Sequence, residues 1–470
     1  MNSSFLMDTL FVIGRNLAHT HQLGHYLTTF FFTTTIPKKN KLPQIDQKTN
    51  TVRNQNLKLI WPLSLSSLGP GLLYAAVAVG VSHLVQATRA GAGYGLSMTL
   101  IVLIACIIKY PSLRFGGEYA TITGKNLVTS YRERGWFIFI LFSISQLFSM
   151  VFIIAAVALF TSGLLQATTG FSASPVNGVI TLLIIVNSLL FFGGYKRLEF
   201  VIKVFVVGFT LLTTFCVLLI FNRLEWSTSA LSFPVFDAPT VIFIVALIGF
   251  MPSPTDASVL QSLWTVAKAQ ESNFLVTREQ SRFDFNVGYV ISSVLAIFFL
   301  FLGAAVLNPL ATNMPSDNAG FASQLLNVYT TLIGDWSFYA IAFTALLVMV
   351  STALAVNDGM TRMAIAIGKE FFPRIRWGNH YQYKLVLSCL SILAVFVIYL
   401  LLSSFTRFMD LTSIIVFLIG PFLALLNHLA IFDNRVPEAE RPSLFIKTWS
   451  ILSITCLFLL MAAYIYFRLA

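Results

Sequence analysis

The sequence predicts an all-α integral membrane protein with about eleven transmembrane helices. Hydrophobic residues make up 57% of the 470-residue chain and charged residues only 10%, whereas a soluble domain carries roughly 25% charged residues. The apolar residues form long runs, and about 20 such residues are enough for a helix to cross about 30 Å of hydrocarbon. The mean hydropathy of +0.80 agrees with this fold class.

The chain divides into a polar N-terminal part and a long apolar part. Residues 1–57 contain FFFTTT and PKKNKLPQIDQKTN, which predict a mobile cytoplasmic tail, and residues 58–470 form the predicted transmembrane domain. The predicted membrane segments lie at about 61–87, 94–113, 136–166, 176–194, 198–221, 239–267, 285–307, 336–368, 383–404, 410–432 and 445–468.

The positive charges indicate how the chain crosses the membrane. The net charge of +11 does not indicate a nucleic-acid partner, because the basic residues lie between apolar runs. With the N-terminus inside, most Lys and Arg residues fall on the cytoplasmic side. The opposite side holds only Arg89, Arg223, Arg407 and Arg468. We therefore expect a cell-membrane protein with a cytoplasmic N-terminus, an external C-terminus and the lipid bilayer as a partner; the oligomeric state stays open.

Two membrane segments are interrupted at mid-depth. The first segment contains Gly80 followed by the polar pair Ser82 and His83, and the sixth contains Pro252 and Asp256 within GFMPSPTDAS. Proline removes a backbone donor and clashes with the preceding helical turn. Irregular backbone at membrane depth is tolerated only where it is buried or lines a cavity. Both segments are therefore predicted to be broken helices.

The spacing of the breaks predicts an inverted repeat. They lie five spans apart, and an odd number of helices in each half inverts the second half relative to the first. The predicted repeats cover about 61–221 and 239–432, and an extra helix follows at about 445–468. This pattern is typical of secondary transporters, whose substrate site lies between the two broken helices.

The motifs GPGLLYAA, TRAGAGYG and FMPSP resemble those of the Nramp family of proton-coupled divalent metal transporters. The resemblance runs from about Gly69 to the end of the chain. It implies a LeuT-like fold of two inverted five-helix repeats plus one extra helix, which agrees with the number of segments. It also implies a divalent transition metal, of the manganese and iron class, as the substrate.

The sequence departs from the family at the expected metal ligands. The family breaks its first helix at Asp-Pro-Gly-Asn, and the resemblance places these positions at Gly80–His83. In the sixth helix Met251 and Pro252 match, whereas Ile248 replaces the family's alanine and Ser253 its histidine. The family's third-helix acidic residues fall near Gln146 and Ser149, and its tenth-helix glutamine near Ser413.

The remaining donors at the breaks form the predicted binding site. We expect substrate contacts from Gly80, Ser82, His83, Met251, Ser253 and Asp256. Of these, His83, Met251 and Asp256 are the candidate metal ligands, because imidazole and thioether suit softer metals and the carboxylate supplies charge. Alternatively, His83 is a neutral core histidine, Met251 only packs, and Asp256 caps the second half-helix.

Four further residues are candidates for proton movement or gating: Arg89, Gln146, Asp358 and Arg362. Asp358 and Arg362 are one helical turn apart, which favours an ion pair. Arg89 is placed at the outer mouth, as a gate residue or as a contact to headgroups or carbonyls.

The leading hypothesis is an Nramp-like secondary transporter, in which alternating access moves a divalent metal by symport with protons. The missing Asp and Asn keep a second hypothesis open, namely transport of a small organic solute on the same fold. A third is a membrane sensor that does not transport. No enzyme motif and no cofactor are expected, since a metal ion would be the substrate.

Overall fold

The computed structural model describes residues 70–191, 195–228, 230–272, 277–308, 315–375, 377 and 379–469. Helices dominate these residues, and the described part of the chain contains no strand. The predicted cytoplasmic tail, residues 1–57, and the predicted domain boundary after it lie outside the described residues.

The helices follow the chain in two successive groups. The first group is α1 (Pro70–Ala78), α2 (Thr88–Tyr94), α3 (Thr99–Thr123), α4 (Leu127–Glu133), α5 (Trp136–Thr169), α6 (Pro175–Phe191) and α7 (Tyr195–Ile220). The second is α8 (Ala238–Phe250), α9 (Ala257–Ser272), α10 (Arg278–Leu302), α11 (Asn318–Ile333), α12 (Phe338–Phe371), α13 (His380–Leu401), α14 (Phe405–Ile431) and α15 (Leu444–Leu469).

The helices account for every predicted membrane segment. Seven continuous helical stretches of the described chain are long and apolar enough to cross a membrane, and three shorter apolar helices accompany them. Large apolar side chains are exposed on the outer faces of several helices, among them Phe148, Leu211, Leu393 and Leu452. Such exposure suits contact with lipid rather than water.

Two helices were not predicted from the sequence. The short helix α4 connects α3 to α5, and α11 lies between α10 and α12. The side chain of Asp317 caps α11 by accepting a hydrogen bond from the backbone N–H of Gly320 at 2.7 Å. Neither helix consists of a long apolar run, so apolar length alone does not predict either helix.

Local signals set several helix ends. Asp237 caps α8 with its side chain, and Thr277 with Gln280 forms a capping box at the start of α10. The helices α3 and α5 end at Gly124 and Gly170, whose φ angles are 67° and 69°. Glycine adopts this left-handed conformation at little cost, and so it stops these helices.

The first predicted break is present between α1 and α2. Helix α1 ends at Ala78, and a π-helical turn at Ser82–Ala87 leads into α2. Gly80 lies in the break, where a Cβ atom would be 2.8 Å from Cγ2 of Thr352 on α12. A side chain at position 80 would push α12 away from the break.

The second predicted break separates α8 from α9. Helix α8 ends at Phe250, and α9 begins at Ala257 after a link of six residues. Two prolines, Pro252 and Pro254, stand in the link and cannot donate the backbone hydrogen bonds that would continue α8. The link is buried, so its polar groups have to find partners within the protein.

Glycines let α2 and the end of α10 approach closely. A Cβ atom at Gly91 would lie 1.9 Å from the carbonyl oxygen of Leu300, and one at Gly303 would lie 2.2 Å from that of Thr88. Small residues at helix contacts are common in membrane proteins, because they let backbones touch.

We expect Gly91→Ala to lower the thermal unfolding temperature of the purified protein by a few degrees. The added methyl group meets backbone that cannot move freely, and overpacking costs about 1–3 kcal/mol. The matched control is Gly93→Ala, since a Cβ atom at Gly93 meets no atom of the described chain within 4 Å. Equal unfolding temperatures for the two variants would contradict the close packing of α2.

Candidate functional site

A small cavity lies between the two broken helices. Its volume is about 30 Å³, and its walls come from both breaks and from α5 and α12. A water molecule needs about 10–15 Å³ of such space. The cavity therefore has room for a small ion or one or two waters, and not for a larger organic molecule in this conformation.

The polar groups that line the cavity are side-chain oxygens, which are potential ligands of a metal ion. Ser82 from the first break, Asp256 from the second and Thr352 from α12 line it, together with apolar side chains such as Val81 and Met360. Asp256 is the acidic residue among the lining residues. Of the six residues predicted to contact the substrate, Ser82 and Asp256 reach the cavity wall.

Asp256 connects the second break to α5. Its carboxylate accepts a hydrogen bond of 2.6 Å from the Ser149 hydroxyl, and its backbone oxygen accepts from the N–H groups of Val259 and Leu260 at the start of α9. The carboxylate thus lies where a helix begins, and N–H groups at a helix start favour negative charge. At this position Asp256 can act as the cap of α9 or as a ligand of the substrate.

His83 is fully buried and directed towards α10. Its Nε2 atom lies 2.7 Å from the Ser292 carbonyl oxygen, and its Nδ1 atom lies 2.7 Å from the Ser82 hydroxyl. That hydroxyl also lies 2.5 Å from the Ala78 carbonyl oxygen. His83 therefore contacts the cavity only through Ser82.

This chain of contacts has a carbonyl at each end, and carbonyls only accept hydrogen bonds. The three contacts need three protons. The Ser82 hydroxyl supplies one proton and the single N–H group of a neutral His83 supplies a second. The third proton is present only when both ring nitrogens of His83 are protonated. The chain is therefore fully hydrogen-bonded only when His83 carries a positive charge.

Met251 and Ser253 lie beside the cavity rather than in it. Met251 is fully buried in the apolar core, and the Ser253 hydroxyl is 2.8 Å from the Tyr74 hydroxyl. Within the described residues, no group of three or more His, Cys, Asp or Glu side chains is arranged to hold a metal ion. Of the three candidate metal ligands, Asp256 lines the cavity, whereas His83 and Met251 are not among its lining residues.

Lys109 on α3 is a functional candidate that the sequence reading missed. Its ammonium group donates to the carbonyl oxygens of Ile248, Gly249 and Ser253, at 2.8, 2.9 and 2.8 Å. It also interacts electrostatically with Asp256. A lysine within the apolar run ACIIKYPSL was the available signal, because intramembrane ionisable residues mark functional sites by default.

Arg89 links two helices at one end of the bundle, here called the Arg89 end. Its guanidinium makes two hydrogen bonds to the Asp410 carboxylate, at 2.6 and 3.0 Å, and also donates to Gln86. Gln86 donates to Ser413 at 2.8 Å. These bonds join α2 to α14, as a gate residue would. Asp410 was not singled out from the sequence, since the pairing depends on tertiary contact.

The remaining predicted residues lie towards the opposite end. Arg362 pairs with Asp358 at 2.7 Å, as their spacing predicted, and Tyr383 donates to the same carboxylate. Gln146 is fully buried, and its side-chain amide has no hydrogen-bond partner among the described residues. Such buried polar groups are uncommon in proteins and need an explanation.

A family model described as Natural resistance-associated macrophage protein-like (Nramp) matches residues 71–467. An uncharacterized protein of Pasteurella multocida (strain Pm70) is 31% identical over 336 residues, which are 69% of this chain and 77% of that protein.

Three solved structures share the fold. A manganese transporter of Eremococcus coleocola, in complex with an aromatic bis-isothiourea substituted compound, has a TM-score of 0.66 at 14% identity over 88% of this chain and 89% of that chain. MhsT in complex with L-phenylalanine has a TM-score of 0.60 at 14% identity, and the match covers 85% of this chain and 98% of that chain. Mhp1, a nucleobase-cation-symport-1 family transporter, has a TM-score of 0.53 at 16% identity, and the match covers 85% of this chain and 92% of that chain. These likenesses confirm the predicted LeuT-like fold.

We expect Arg89→Ala to open the Arg89 end. In a Cys389→Ser background with a Val81→Cys reporter on the cavity wall, a membrane-impermeant thiol reagent should react about tenfold faster. Charge-assisted hydrogen bonds contribute about 1.5–3 kcal/mol, and about 1.4 kcal/mol corresponds to a factor of ten.

The matched control is Arg407→Ala, which removes an exposed arginine from the same end of α14. In this control the thiol reagent should react with Cys at position 81 as fast as it does in the Val81→Cys reporter without a further substitution. If Arg89→Ala and Arg407→Ala react equally fast, Arg89 does not restrict access to the cavity.

Proposed function

Since the chain belongs to the Nramp family and is a multi-pass membrane transporter with a LeuT-like fold, we propose that it carries a divalent transition-metal ion. The ion is of the manganese and iron class. It binds in the cavity between the two broken helices and is exposed alternately to the two sides of the membrane.

The observation that carries this proposal is the size and chemistry of the cavity. About 30 Å³ suits a single small ion, and its polar lining is the Asp256 carboxylate with the Ser82 and Thr352 hydroxyls. Oxygen donors of this kind suit manganese better than softer metals. Because His83 and Met251 do not line the cavity, the soft ligand pair considered from the sequence does not support copper.

Proton coupling is proposed to act through His83. The hydrogen-bond chain from Ala78 to Ser292 favours a doubly protonated imidazole. A charged imidazole and a dication held near Ser82 repel each other strongly, because the surroundings are of low dielectric constant. Protonation of His83 and binding of the metal therefore compete, so the coupling proposed here is exchange of a proton for the metal, in place of the symport expected from the family resemblance.

The two ends of the bundle are proposed to open in turn. The Arg89 end is the external side, in keeping with the distribution of basic residues, and opening it breaks the Arg89–Asp410 pair. Towards the other end, buried polar atoms of Gln146, Asn357 and Thr361 have no partner among the described residues. They offer donors and acceptors to an ion that leaves on the cytoplasmic side.

One observation favours the second candidate, a small organic anion. The ammonium of Lys109 bonds three carbonyl oxygens at the second break, and a basic side chain at this break favours an anionic group in the substrate. On this alternative, the cavity would have to widen in another conformation before the solute enters.

The test is manganese uptake into proteoliposomes that contain the purified protein. We expect uptake above that of empty liposomes, and we expect Asp256→Asn to reduce it at least tenfold, because a dication loses its compensating carboxylate. The matched control is Glu438→Gln, which removes a carboxylate that is 90% exposed in a loop. Uptake by this control should equal that of the native protein.

Absence of uptake for manganese, iron and cobalt in the native protein would contradict metal transport. A thermal-shift screen of small carboxylic and amino acids would then test the organic-anion alternative. Binding without flux in either assay would point instead to a sensor.

We also expect the apparent affinity for manganese to fall as the pH is lowered, because protonation of His83 competes with binding of the metal. In His83→Gln this dependence should flatten, because glutamine cannot take up the competing charge. The control His380→Gln changes an exposed histidine at the start of α13 and should keep the native dependence. An unchanged dependence in His83→Gln would exclude His83 as the coupling group.

A further inference from the structure

The carbonyl oxygens at the end of α8 converge on one point, where the ammonium of Lys109 lies. Three of them, from Ile248, Gly249 and Ser253, are within 2.8 to 2.9 Å of Nζ. An ammonium group has three N–H donors and no acceptor, so all its donors are used. Lys109 is only 2% exposed and is enclosed by protein.

The sequence of the link explains why these oxygens are available. In a continuous helix the carbonyl of Ile248 would accept from residue 252, which is Pro252 and has no N–H group. The last carbonyls of a helix also carry the negative end of its dipole. Such a ring of free carbonyl oxygens can replace the hydration shell of a monovalent cation, as in ion-channel filters.

We propose that Lys109 is a tethered cation that fills a monovalent-cation site formed by the carbonyl oxygens of Ile248, Gly249 and Ser253. The transporter therefore needs no Na⁺ or K⁺ at the second break. The lysine supplies from α3 the positive charge that a bound ion would supply from solution.

The position of this site ties it to the cavity. The backbone carbonyl of Ser253 accepts a hydrogen bond from Lys109. The Ser253 hydroxyl forms a hydrogen bond with the Tyr74 hydroxyl of α1. The same link ends at Asp256, which attracts the ammonium group and lines the cavity. Lys109 thus holds the shape of the link that carries Asp256 to the cavity wall.

The proposal depends on the fold and not on the identity of the substrate. It can therefore fail while the proposed metal transport holds, and the reverse is also possible.

The experiment compares Lys109→Ala with Lys109→Met in thermal unfolding of the purified full-length protein. Lys109→Ala leaves space beside the carbonyl oxygens, whereas Lys109→Met fills that space with an uncharged chain of similar length. Each protein is titrated with NaCl, KCl and n-propylammonium chloride, and choline chloride controls for ionic strength.

We expect the unfolding temperature of Lys109→Ala to rise saturably with at least one of Na⁺, K⁺ or n-propylammonium, because ligands that bind only the folded state stabilise it. n-Propylammonium restores the atoms that the substitution removes. The native protein and Lys109→Met should respond no more to these salts than to choline chloride.

Two results would overturn the proposal. One is a folded Lys109→Ala protein that responds to none of the three cations. The other is a native protein whose unfolding temperature or uptake depends specifically on Na⁺ or K⁺. If Lys109→Ala folds only when n-propylammonium is present during purification, the proposal is supported; if it folds in neither condition, the cation dependence of the native protein decides.

Discussion

The structure depends on satisfying backbone groups where a membrane helix is broken. A carbonyl left unpaired in hydrocarbon costs several kcal/mol, so α8 can end at Phe250 only if partners come from elsewhere in the protein. Lys109 provides them for Ile248, Gly249 and Ser253 with one side chain. The prolines that break the helix and the lysine that compensates for the break are therefore two parts of one arrangement.

The electrostatics of the site follow from this arrangement. Lys109 reaches the second break from α3 and is held there by three carbonyl oxygens. Asp256 ends the same link, and Ser149 donates to its carboxylate, so Asp256 is held by α5 as well as by its place before α9. Buried polar groups need such hydrogen-bond partners. These contacts place one basic and one acidic side chain at the second break.

The two breaks play different parts. The second break holds fixed charges, while the first places Gly80 against Thr352 and directs His83 towards Ser292. Further along the same segment, Arg89 ties α2 to α14 through Asp410. The helical segment that follows the first break therefore joins His83, the proposed proton-binding side chain, to the Arg89–Asp410 pair, the proposed gate. This connection gives a physical route by which protonation and opening can influence each other.

The sequence alone determined the membrane class, the number of spans, the two breaks and the family, because apolar length, proline and glycine act locally along the chain. It also determined the Asp358–Arg362 pair, whose members are one turn apart on a single helix. Only the tertiary structure decided that His83 and Met251 stay out of the cavity, that Lys109 caps α8, and that Arg89 finds Asp410. These contacts join residues more than a hundred positions apart, and helix packing rather than local sequence sets which side chains meet.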